Sequence, residues 1–114
     1  MNGSKELYDF LMHKYGAYAQ LLMLFEEQAE LNVELLKANR ATGLQLITNE
    51  QRMRIADELA DNFIMLEQFV NFFKLESEVD LTMQYKLERV AQRSGYNEPY
   101  KDLLPSNAKI EEVE

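Results

Sequence analysis

The sequence predicts an all-α protein, an antiparallel bundle of about four helices completed by oligomerisation. Three observations carry this. Only four glycines and two prolines punctuate 114 residues, and both prolines, Pro99 and Pro105, fall near the C-terminus. The long uninterrupted stretches are rich in Leu, Glu, Met, Ala and Gln, which are good helix formers. Strand-type alternation of apolar and polar residues is not sustained anywhere. A chain this short also leaves much apolar surface hard to hide within one copy.

The elements follow in order. Ser4 is a plausible N-cap for a first helix reaching about residue 14, and Gly16 ends or bends it. A second helix spans about 17 to 39. The segment "NRATGLQLIT" with Gly43 is then a loop. Thr48 and Gln51 form a capping-box pattern that opens a third helix, about 49 to 74. Ser77 and Asp80 place the start of a fourth near 78, and Gly95 stops it after 94. Beyond it, "YNEPYKDLLPSNAKIEEVE" has weak periodicity and an acidic end. The expected organisation is an all-α catalytic domain at 1–95 and an arm or flexible tail at 96–114.

Charge and composition narrow the function. Twelve basic against twenty acidic residues give a net charge of −8, which disfavours nucleic acid and anionic membranes as partners. The absence of cysteine removes thiolate nucleophiles, disulfides and cysteine-ligated metals. No apolar run approaches the ~18 residues of a membrane span. The start, "MNGSKELYDF", is polar where a signal peptide needs an apolar core. A soluble, cytoplasmic protein is the expectation.

The acids are patterned. "LFEEQAELNVELL" has the apolar density of a buried helix and yet contains Glu26, Glu27, Glu30 and Glu34. At 100° per residue, Gln20, Met23, Glu30, Leu31 and Glu34 share the side of Glu27. Leu22, Phe25, Ala29, Val33 and Leu36 form an apolar face opposite. On the third helix Gln51, Arg54, Ile55, Asp61, Asn62 and Met65 share the side of Glu58. Leu59, Ala60, Phe63, Ile64, Met65 and Leu66 surround Asp61, so this helix is expected to be buried over much of its circumference, with Leu66 in the core. "FVNFFKL" places Phe69, Phe72 and Phe73 near its end, where they suit core packing or a subunit contact.

If the two acidic faces meet, Glu27, Glu30, Glu58 and Asp61 converge. Like charges about 4 Å apart repel by about 4 kcal/mol at an effective dielectric of ~20. Protonation or a divalent cation would relieve this. An all-oxygen donor set suits Mg²⁺, with Mn²⁺ as a substitute. Zinc prefers His or Cys, and the sole histidine, His13, is far in sequence from both acid pairs. The bland alternative is that these acids are simply solvated helix faces.

"EEQAEL" at 26–31 and "DELADNFIML" at 57–66 resemble the paired Glu-Glu-x-x-Glu and Glu-x-x-Asp motifs of the MazG-like all-α nucleoside triphosphate pyrophosphohydrolases. "YGAYAQLLMLFEEQAEL" resembles the family's approach to its first motif, and "YKLERVAQR" its later basic segment. The likeness covers about 8–94. It implies that Glu27, Glu30, Glu58 and Asp61 coordinate Mg²⁺, which holds a nucleoside triphosphate. Water attacks the α-phosphorus and pyrophosphate leaves. Glu26 or one of the ligands, such as Glu30, orients that water. Lys86, Arg89 and Arg93 meet the phosphates, or else form surface ion pairs. Gln20, Asn62, His13 and Tyr15 are the candidates to read the nucleobase, although such residues more often serve ordinary packing or capping. Some relatives place tryptophan near the base, and this chain has none. The family forms homodimers and homotetramers. Two rival readings remain: a non-catalytic helical interaction or oligomerisation protein, and a diverged relative that binds metal or nucleotide without turnover.

Overall fold

In the computed structural model, which describes residues 4–96, the described chain is all-helical: α1 (Lys5–Tyr15), α2 (Ala17–Ala41), α3 (Asn49–Phe73) and α4 (Glu76–Ser94). Of the arm predicted at 96–114, all but Tyr96 lies outside the described residues. Two compact units meet in sequence between Leu75 and Glu76.

Local chemistry sets the ends of the helices. The Ser4 side chain accepts from the Leu7 amide and caps α1. Gly16, at φ 89°, joins α1 directly to α2, a conformation that side chains with a Cβ rarely adopt. The α2 helix runs two residues further than expected, because the amides of Thr42 and Gly43 reach back to the carbonyls of Ala38 and Asn39. A short 3₁₀ turn at Leu44–Leu46 follows. The capping box is present: the Gln51 amide donates to Thr48 Oγ1 at 3.1 Å, and the Thr48 amide donates to Gln51 Oε1 at 2.7 Å.

Lys74 closes α3 in the left-handed region at φ 56°, with the Leu75 amide donating to the Val70 carbonyl. The chain re-enters a helix at once, so α4 starts at Glu76 and Ser77 is inside its first turn, not its cap. Glu76 and Glu78 sit there, where the helix dipole favours negative charge. No residue of α4 is buried.

In the first unit α2 and α3 run antiparallel, since Gln20 meets Gln68, Glu27 meets Asn62 and Glu34 meets Arg54. Tyr8 and Asp9 tie α1 to Glu67 and Asn71 of α3. The buried interior mixes Tyr8, Met12, Ala38 and Met65 with Gln20, Asn62 and Gln68. Such an interior holds together only because the amides are paired.

The mixed acid-bearing face of α2 is the one that packs on α3. The purely apolar face opposite is exposed, Leu22, Phe25, Val33 and Leu36 included. The expectation that α3 is buried over most of its circumference is not met either. Of the apolar residues around Asp61 only Met65 is buried, while Leu59, Ala60, Phe63, Ile64 and Leu66 are exposed. Two neighbouring helices, α1 and α2, cannot surround a third, and an open face remains.

Candidate metal centre

Glu27 lies midway along α2, and Glu58 and Asp61 lie one turn apart on α3. Antiparallel packing turns these three toward one another, and one carboxylate oxygen from each falls within 4.8 Å of the others. Asn62 fixes the register at this point. Its side-chain amide donates to the Glu27 carbonyl at 2.9 Å and to the Glu58 carbonyl at 2.8 Å. One buried side chain thus ties together the backbones that present two of the acids.

The cluster carries unresolved charge. Glu27 Oε2 and Glu58 Oε2 are buried and accept no hydrogen bond. Burial, a hydrogen bond shared with Asp61, and the charges of Asp61, Glu30 and Glu58 push the Glu27 carboxyl up to about 7. Burial raises Glu58 as well, followed by the charges of Glu30, Asp61, Asp57 and Glu34. Among the described residues no ion pair reaches Glu27, Glu58 or Asp61. Arg54, on the same side of α3, is committed to Glu34 at 2.8 Å and Glu50 at 2.7 Å.

The donor set fits a hard divalent cation. With one oxygen of each within 4.8 Å of the others, Glu27, Glu58 and Asp61 would offer Mg²⁺ an all-oxygen donor set. The two orphaned oxygens are the groups such an ion would satisfy. Zinc is a poorer match for a set without nitrogen or sulfur.

Glu30 and Glu26 are exposed, one turn and one residue from Glu27. Glu30 stands outside the three-residue cluster, although its charge acts on both Glu27 and Glu58. Gln20 is buried and donates to Gln68 Oε1 at 2.8 Å. It and Asn62 are therefore engaged in joining α2 to α3. His13 and Tyr15 are exposed at the end of α1. Lys86, Arg89 and Arg93 are exposed on α4, and Arg89 lies 5.7 Å from the Tyr85 ring centroid.

Several polar pairs were not foreseen from the sequence, among them Tyr8–Glu67 and Glu34–Arg54. Tyr8 donates to Glu67 Oε1 at 2.6 Å, and burial together with that carboxylate pushes the phenol up to about 12. The Glu34–Arg54 bridge joins two residues already placed on the acidic faces, and helical phase could have suggested it. The Tyr8 contact leaves no such trace, because residues 59 apart meet only through tertiary packing. Comparison of the chain with protein-family models, with curated proteins and with solved structures finds no match.

Proposed function

We propose that this chain is a homo-oligomeric, Mg²⁺-dependent nucleoside triphosphate pyrophosphohydrolase of the MazG-like type. The observation that supports it most is the convergence of Glu27, Glu58 and Asp61 with two buried carboxylate oxygens left unpartnered. The motif order in the sequence points the same way. Glu27, Glu58 and Asp61 hold the ion, with Glu30 beside them, and Mn²⁺ can replace Mg²⁺. When bound, the ion neutralises triphosphate oxygens and makes water a better nucleophile.

The chain's own groups do the rest. Glu26 or Glu30 orients a water and takes its proton as the water oxygen bonds to the α-phosphorus. The bond from that phosphorus to the α–β bridging oxygen breaks, releasing pyrophosphate and leaving a nucleoside monophosphate. Such chemistry asks mainly for positioning and charge stabilisation. Asn62 and Gln20 act as struts that hold the acids in register.

A panel of nucleoside triphosphates with Mg²⁺, read out for pyrophosphate against orthophosphate, tests the proposal. Pyrophosphate with monophosphate is expected. Orthophosphate alone means attack at the γ position and defeats it. The rival reading, a non-catalytic helical oligomerisation protein, draws on the exposed apolar faces of α2 and α3. It predicts no turnover and no response of the melting temperature to millimolar Mg²⁺. Among the described residues no helix is long and apolar enough to cross a membrane.

A further inference from the structure

Of the residues assigned to the acid-bearing faces of α2 and α3, Arg54 is the one cation. It stands one turn before Glu58, ~6 Å along the helix axis. Its guanidinium does not turn to that carboxylate. Nε donates to Glu34 Oε1 on α2 at 2.8 Å, and Nη1 donates to Glu50 Oε1 at 2.7 Å. The Arg54 side chain is 48% exposed and that of Glu50 82%. Ion pairs this exposed contribute little to stability, so the fork can exchange partners at small cost.

The acid cluster has unlike neighbours on its two sides. Toward the C-terminal end of α3, Asn62, Met65, Gln20 and Gln68 are buried and their amides are engaged. A phosphate placed there would lose its water and meet no cation. Toward the start of α3 the surface is open and carries Arg54.

We propose that Arg54 binds the terminal phosphate of a triphosphate whose α-phosphate sits at the acid cluster, and so sets a preference for three phosphates over two. This rests on the reaction proposed above. The step from Glu58 to Arg54 is comparable with the span from the first to the last phosphorus of a triphosphate. A diphosphate held at the cluster stops one phosphate short. The guanidinium fork matches two phosphate oxygens in one plane, and a terminal phosphate carries more charge than the carboxylate it displaces. In this structure Glu34 and Glu50 take the places of those oxygens. They also keep the fork off Glu58, so the cluster retains its negative charge for an ion.

The test is calorimetric binding of inorganic tripolyphosphate and of pyrophosphate to the full chain in Mg²⁺, with circular dichroism confirming the fold. Arg54→Met should weaken tripolyphosphate at least about tenfold and pyrophosphate less than about twofold. Arg54→Lys keeps the charge without the fork and should fall between the two. Glu34→Gln should tighten tripolyphosphate, because the carboxylate competes for the guanidinium. That gain should vanish in the Arg54→Met background, whereas simple repulsion by Glu34 would persist there and a merely structural bridge would give no gain. In turnover, Arg54→Met should raise KM for the triphosphate more than it lowers kcat. Equal losses for both anions, no loss for tripolyphosphate, or a Glu34→Gln gain that survives Arg54→Met overturns the proposal. A chain that binds neither anion overturns it too. The two readings fail separately. Triphosphate hydrolysis unimpaired in Arg54→Met ends the role of Arg54 alone, and Arg54-dependent tripolyphosphate binding without hydrolysis of any nucleotide ends the reaction alone.

Discussion

Lowering the pH should stabilise the metal-free chain. The Glu27 carboxyl stands at about 7 in the folded protein against an ordinary 4.5, raised by burial first and then by Asp61, Glu30 and Glu58. A carboxyl whose folded pKa exceeds its unfolded value takes up a proton on folding between the two values. Stability is therefore greatest near and below pH 4.5, falls as pH rises toward 7, and stays low above it. Counting the whole Glu27 shift would give about 3 kcal/mol. The side chain is only partly buried, so solvent screening reduces this to about 1–2 kcal/mol. For a domain of roughly 100 residues that is a melting temperature about 5–10 °C higher at pH 5 than at pH 8. The assay is thermal melting followed by circular dichroism, in EDTA, across that range. Glu27→Gln removes the titrating group and should flatten most of the slope. A melting temperature that is flat, or higher at pH 8, refutes the picture of crowded acids, and so does an unchanged slope in Glu27→Gln. Added Mg²⁺ should act in the opposite sense, because it binds ionised carboxylates. Its stabilisation should be larger at pH 8 than at pH 5 and reach about 2.7 kcal/mol at one hundred times its Kd.

Glu58→Gln should abolish hydrolysis yet leave the metal-free protein as stable as the parent or more so, because it relieves repulsion; marked unfolding of this variant in EDTA would argue for a structural role instead. Met65→Ala should cost about 2–5 kcal/mol in urea titrations, as expected for a side chain 5% exposed. Leu66→Ala, at 46% exposure, should cost the isolated chain less than about 1.5 kcal/mol, and any larger loss should grow with protein concentration. Lys74→Gly should raise stability by about 1 kcal/mol, since a residue with a Cβ is held at φ 56° there; a drop in the urea midpoint would contradict this.

The helices were legible because their signals are local. Ser4, Gly16, and Thr48 with Gln51 act within one turn, and each ends or starts a helix where the sequence places it. The misplaced start of α4 shows the limit of the same logic. Ser77 looks like a cap, but the left-handed turn at Lys74 returns the chain to helix two residues earlier.

The acids themselves were legible by phase, since Glu27 on one helix and Glu58 with Asp61 on the next each fall on a single face. By itself the sequence determined the four helices, their approximate ends and the membership of each face. Tertiary structure alone decided which face turns inward, and it turned the mixed, acid-bearing one. It decided too that Asn62 and Gln20 bridge helices, that Tyr8 meets Glu67, and that Leu66 stays exposed. The physical reason is that helical phase is set by covalent geometry and local hydrogen bonds. The choice among apolar faces depends on the summed packing of partners far apart in sequence, and one short chain has too few helices to cover them all.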